Sequence, residues 1–252
     1  VSGDLISLFV FWELTSICSF FLIGFYTKKK SSQLAARKSM IVTIGGGIFL
    51  LASIIMIYTA TGTFSLTELL QDTSATKGQL EAAGLFLPAL LSLVVGAAAK
   101  SAQVPLHIWL PDAMEAPTPV SAFLHSATMV KAGVFLIGRM RPVLESFEWT
   151  VIVVTLGLTT MTIAGILAVK ATDIKELLAY STASHLGLIV AAFGFPAVYG
   201  AEAGVFHMLN HASFKAALFL VAGIVAHEAG TRKISELTGL YRYLPVTSLV
   251  AV

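Results

Sequence analysis

One cysteine, Cys18, stands in 252 residues, so the chain can form no internal disulfide framework and no cysteine-ligated cluster of its own. Charge is scarce as well: Asp, Glu, Lys and Arg make up 12% of the chain and nearly cancel, leaving a net +2. Beyond the short run Lys28-Lys29-Lys30 there is no basic face of the kind nucleic acid requires. An initiator methionine and a cleavable-leader pattern are missing, and the closing TSLVAV reads as the start of another apolar run, so a piece of a longer protein is expected. What fills the sequence is apolar: 56% hydrophobic residues and a mean hydropathy of +0.85, a mix that belongs to an integral membrane protein.

Apolar runs of the about 20 residues needed to cross a bilayer lie near 5–26, 39–60, 84–112, 119–138, 149–169, 177–195 and 197–226. They are continuous rather than alternating, which selects helices over barrel strands. The expected fold is therefore an all-α, polytopic transmembrane bundle. The third run exceeds one crossing and contains Pro105 and Pro111, which predict a broken helix. Between the second and third runs, Ser65-Leu66-Thr67-Glu68 reads either as a capping box opening a short surface helix or as ordinary loop. Gly45, Gly46 and Gly47 lie inside a hydrophobic helix, lack the context of a nucleotide loop and read as packing.

Lysine and arginine accumulate in cytoplasmic loops. Lys28, Lys29, Lys30, Arg37 and Lys38 fall in the first loop, Lys170 and Lys175 in the fifth, and Arg232, Lys233 and Arg242 after the seventh run, ten on one side. Only Lys77, Arg139 and Arg141 fall on the other. The first loop is thus expected to be cytoplasmic. The basic residues left over, Lys100, Lys131 and Lys215, sit inside predicted helices, and Glu13 is the one acidic residue well inside such a run.

An ionisable side chain at the bilayer centre costs about 2.5–3.5 kcal/mol on insertion scales, so those retained there point to function. Lys100 is about 16 residues, or about 24 Å, into its helix and beside the proline break. Lys131, eight residues before Arg139, has the alternative of snorkelling to the interface. Burial disfavours a charged lysine and a nearby carboxylate favours it, so a Glu13–Lys100 pair of adjustable separation is a proton trap, with Lys100 as the carrier. Histidine exchanges protons near neutral pH, which adds His125 in the fourth run. His207, His211 and Lys215 are spaced four apart and form one helical stripe. HMLNH has a zinc-like histidine spacing, but the intervening Glu and a third ligand are missing, so no metal is expected. His185 reads equally as relay or buried structural histidine; His107 and His227 read as interfacial.

FVFWELTSICSFFLIGFY, KSAQVPLHIWLPDAMEAPTPVSAFLHSATMVKAG, DIKELLAYSTASHLG and FHMLNHASFKAALFL resemble successive signatures of the antiporter-like proton-translocating membrane subunits. That family is shared by respiratory complex I and the Mrp-type multi-subunit sodium/proton antiporters. MEAPTPVSAFLHSATMVKAG and AHEAGTRKISELTGLYRYLP are most similar to its Mrp large-subunit branch. The resemblance implies a 14-helix fold with two inverted five-helix repeats, each with one discontinuous helix. Residues 1–252 would be a single transmembrane domain holding family helices five to eleven. Glu13 would then be the helix-five glutamate, Lys100 the lysine of broken helix seven, His125 and Lys131 the helix-eight relay, and His207, His211 and Lys215 the helix-eleven stripe. The implied activity is cation/proton antiport, with sodium the exchanged ion. It would be non-enzymatic and cofactor-free, working among other subunits of a complex in the inner (plasma) membrane, with protons and lipid as partners and no nucleic acid. The alternatives are a proton-pumping subunit of respiratory complex I or of a related membrane-bound hydrogenase, although no redox site is visible, and a passive structural subunit.

Overall fold

A computed structural model describes residues 2–196 and 198–251, and among these every regular element is helical, with only isolated bridges at Asp4–Ser65 and Asp173–Lys233. The first helix, α1 (Leu5–Ile23), opens on Asp4, whose carboxylate accepts from Ser7 N at 2.8 Å. Its buried stripe is Trp12, Ser16, Ser19 and Ile23, while Phe11, Leu14 and Phe21 face outward. The small polar Ser16 and Ser19 turn inward while several large apolar residues face outward, as expected where the surroundings are as apolar as a core and close approach holds helices together.

Helix α2 (Lys30–Thr61) is longer than the run 39–60: it takes in Lys30, Arg37 and Lys38, so the first loop shrinks to a short turn. It ends at Gly62, whose left-handed φ of 75° lets its N–H reach Tyr58 O at 2.7 Å. Ser65 caps α3 (Leu66–Gln71), which decides for the surface helix over the loop; Glu68, however, accepts from Thr63 Oγ1 at 2.6 Å. Asp72 then caps α4 (Thr73–Ala82).

The predicted break is present. Helix α5 (Phe86–Lys100) has 15 residues, about 22 Å at the helical rise, and ends at Lys100 itself. Past it the backbone visits positive φ at Ala102 and a cis Val104–Pro105 bond, then continues as a 3-10 turn at Leu106–Ile108, α6 (Trp109–Asp112) and a second 3-10 turn at Ala113–Glu115. Partners from elsewhere satisfy the interruption: Val104 N donates to Thr160 Oγ1 at 3.0 Å and Trp109 Nε1 to Ala99 O at 3.0 Å. The crossing is completed where Asp112 pairs with Lys38 at 2.6 Å and Glu115 accepts from Ser31 at 3.2 Å.

The fourth run begins with α7 (Thr118–Ala122), passes through a π-helical segment at Phe123–Ala127 and goes on as α8 (Met129–Leu144). It outlasts residue 138, so Arg139 and Arg141 lie on helix rather than in a loop, and Arg141 is held by Glu145 Oε1 and Phe195 O, both at 3.1 Å. Helices α9 (Phe147–Lys170) and α10 (Ile174–Gly194) form a hairpin so close that a Cβ on Gly187 would stand 2.6 Å from Gly157 O. Helix α11 (Val198–Ala229) follows, then the short α12 (Leu240–Tyr243) and α13 (Pro245–Ala251).

Among the described residues six helical spans are long and apolar enough to cross a membrane, or up to seven if α4 and α5, bent by 110° at their junction, count as one more. The ends sort as the loop charges predict. Ser31, Asp112, Glu115, Asp173, Glu176 and Arg232 line one polar cavity of about 390 Å³. At the opposite ends Lys77 donates to Glu145 O at 2.9 Å, beside Arg141. On the cavity side, Ile174 N donates to Arg232 O and Ile234 N to Thr172 O, at 3.0 and 2.9 Å, while Arg232 pairs with Asp173 at 2.9 Å.

Candidate functional site

Where α5 stops, Lys100 has no further turn to lie along, and its side chain reaches across to α1. It is completely buried; Nζ donates to Trp12 O at 2.7 Å and to Ser16 Oγ at 2.6 Å. Glu13 is half-buried on the same helix and couples electrostatically to Lys100, with Ser16 within hydrogen-bonding reach of its carboxylate. No direct ion pair closes between Glu13 and Lys100 among the described residues. Ser16 Oγ, the acceptor of Lys100 Nζ, is the polar group they share. Glu13 Oε1 is buried without a hydrogen-bond partner among the described residues.

His125 lies in the π-helical segment, completely buried between the rings of Trp109 and Phe219, whose centroids are 6.2 and 6.1 Å away. Neither ring nitrogen has a protein partner among the described residues. Trp109, held by its indole N–H on the carbonyl of Ala99, stands between the Lys100 end of α5 and this imidazole. Lys175 is near enough to act on His125 electrostatically.

Lys131, 7% exposed, does not snorkel: it sits midway along Thr118–Leu144 and donates to Met208 O on α11 at 2.6 Å. That carbonyl lies beside His207, and Lys131 acts electrostatically on both His207 and His211. His185 of α10 completes the group, its Nδ1 3.0 Å from His207 Nε2 and its ring 5.4 Å from that of His211. Lys215, 1% exposed, donates to Ser181 Oγ at 2.8 Å and acts on His185 and His211. Two lysines on different helices thus bracket three imidazoles. Among the described residues no set of three His, Cys, Asp or Glu side chains is arranged to hold a metal ion.

The predicted residues therefore fall into two clusters, Glu13 with Lys100 and Lys131 with His207, His211 and Lys215, with His125 apart. His185, read as relay or buried structural histidine, lies against His207 and His211. His107 is half-buried within the broken helix, whereas His227 is exposed at the end of α11 beside Glu228.

Two contributors escape sequence reasoning. Ser16 is one hydroxyl among many. Lys175 counts as a loop charge in the sequence, but is 2% exposed and donates to the carbonyls of Met114 and Ala116, at 2.9 and 2.7 Å. A signal for it exists: Asp173 and Glu176 bound a helix start, and Asp173 Oδ1 accepts from Lys175 N at 2.7 Å, so Lys175 belongs to the first turn of α10.

The family model for NADH:quinone oxidoreductase/Mrp antiporter transmembrane proteins matches residues 2–252. The chain is 46% identical to the Na(+)/H(+) antiporter A-subunit of Bacillus subtilis (strain 168), covering 97% of this chain and 32% of that protein. It is 45% identical to the corresponding A-subunit of Alkalihalophilus pseudofirmus, covering 100% and 33%. It thus spans about a third of the length of these curated relatives. Among solved structures, a chain of the Mrp complex from Dietzia sp. DQ12-45-1b superposes with a TM-score of 0.92 at 40% identity, over 99% of this chain and 27% of that one. A chain of the membrane-bound sulfane sulfur reductase, an archaeal respiratory membrane complex, gives 0.88 at 29% identity, over 100% and 51%.

Proposed function

This chain belongs to the NADH:quinone oxidoreductase/Mrp antiporter transmembrane family, and on that premise we propose that it is the proton-carrying part of the large subunit of a multi-subunit sodium/proton antiporter. Its role is transport rather than a chemical reaction, in the plasma membrane, with the other subunits of the complex as partners. The observation that carries this reading is Lys100: a buried ammonium at the end of a broken helix, held by one carbonyl and one hydroxyl, with the Glu13 carboxylate within electrostatic range. Such a lysine can be charged or neutral according to where the carboxylate sits. Lys131, the three imidazoles and Lys215 extend the path, each able to hold and release a proton.

Composition of the native complex tests the reading. Tagging the full-length protein and isolating its complex from membranes is expected to bring down small antiporter subunits, and the complex in everted vesicles to show sodium-dependent proton flux. Co-purification of flavin and iron–sulfur proteins, with no such flux, would move the protein to a respiratory complex. The higher identity to the sodium/proton antiporter relatives than to the sulfane sulfur reductase favours the first outcome.

Orientation is a separate prediction. With Cys18 replaced, single cysteines at the exposed Ser31 and Ser74 of the full-length protein are expected to label from opposite sides, Ser31 from the cytoplasm. Labelling of Ser31 from the outside alone overturns the assignment.

A further inference from the structure

The three consecutive glycines of α2 do not meet the same surroundings. A Cβ on Gly45 would meet nothing within 4 Å. On Gly46 it would overlap Ala99 Cβ and approach Gly96 O at 3.5 Å; reciprocally, a Cβ on Gly96 would stand 3.0 Å from Gly46 O. That is a small-residue helix crossing, and it sets α5 against α2 one residue before Lys100. On Gly47 the Cβ would land on Glu13 Oε1 and lie 2.8 Å from its Cδ. Gly47 therefore borders the carboxylate itself.

The nature of each collision separates packing from positioning. At Gly46 the obstacle is a methyl on the next helix, which cannot move without the helix. At Gly47 it is the tip of a flexible side chain, and Glu13 can rotate away without disturbing the backbone. The oxygen that lies against Gly47 is the one with no hydrogen-bond partner among the described residues, so little holds it in place besides the space available. We propose that Gly47 is a positioning residue for proton transfer: its missing side chain is the space that holds the Glu13 carboxylate within range of Ser16 and Lys100. Filling that space displaces the acid from its partners while leaving the bundle assembled. This inference rests on the relay reading of Glu13 and Lys100.

The test uses the complete complex in everted vesicles, with sodium-dependent proton flux normalised to assembled protein and followed across pH. Gly47→Ala is expected to assemble and to lose flux by up to about 10²-fold, the scale on which ångström misplacements act, with a pH profile displaced from the parent's. Gly45→Ala is expected to match the parent in both. The deciding variant is Gly47→Ala combined with Glu13→Asp, whose carboxylate is one methylene shorter and clears the new methyl. The double variant is expected to transport better than Gly47→Ala alone, a non-additivity that a general packing defect does not produce. A double variant at or below the product of the single effects overturns the proposal, as does a Gly47→Ala complex with parental flux and pH profile while Glu13→Ala is inactive. If Gly47→Ala does not accumulate, recovery of assembled complex on adding Glu13→Asp assigns the collision to Glu13, and failure to recover overturns it. Parental flux in Glu13→Ala would instead remove the relay reading on which the inference stands.

Discussion

Lys215→Ala in the full complex is expected to reduce sodium-dependent proton flux by about 10²-fold or more, the scale of a lost proton-transfer group, while complex levels stay near those of the parent. The ammonium is 1% exposed and donates to Ser181 Oγ, so truncation removes that hydroxyl contact and leaves the α10–α11 hydrophobic contacts in place. Lys215→Arg is the informative companion. Arginine keeps the positive charge but does not deprotonate at working pH, so a relay should fail with it and a fixed-charge role should survive. His211→Gln, which keeps hydrogen-bonding capacity and loses titration, should behave like Lys215→Arg. The measurement is fluorescence-monitored proton flux in everted vesicles, normalised to assembled complex. Parental flux in Lys215→Arg means that the lysine supplies only charge.

Glu13→Ala is expected to be as damaging, for the opposite electrostatic reason. It removes the anion that acts on Lys100, whose own hydrogen bonds to Trp12 O and Ser16 Oγ remain, so the lysine stays in place without the group that modulates its charge. Flux should fall with little change in assembly, and Glu13→Asp should retain part of it, because the charge is kept and only the reach is shortened. Normal antiport at normal complex levels in Glu13→Ala falsifies the pair as a working unit.

Most of the helical architecture is legible in the sequence because lipid imposes it. Continuous apolar runs must satisfy their own backbone, and Pro105 and Pro111 mark where one of them cannot stay helical. Lys100, Lys131 and Lys215 stand out for the same reason, as exceptions to an apolar rule. What stays hidden depends on distant partners. Lys175 is buried because the carbonyls of Met114 and Ala116, some 60 residues earlier in the chain, turn towards it where Pro117 interrupts the helix. His185 stays ambiguous until His207 is brought against it across the α10–α11 contact. Arg141 has a local partner in Glu145, the cap of its own helix, but its second partner, the carbonyl of Phe195, comes from a distant element. The short loops around α2 and α8 are misjudged because charge marks where a helix leaves lipid, not where it ends.

The backbone bonds joining Ile174 to Arg232 and Ile234 to Thr172, with the Arg232–Asp173 ion pair, fasten the end of α11 to the turn between α9 and α10. Helix α11 is therefore a lever clamped at one end. Lys215 lies about 14 residues from Ala229, about 21 Å along the helix, and His207 about 22 residues away, about 33 Å. A tilt of about 3° at the clamp would move Lys215 by about 1 Å and His207 by about one and a half times as much at that rise per residue. Since a hydrogen bond is made or lost over less than 1 Å, the contacts of His207 and Lys131 would open well before that between Lys215 and Ser181, giving a single rigid helix an order in which to release its partners.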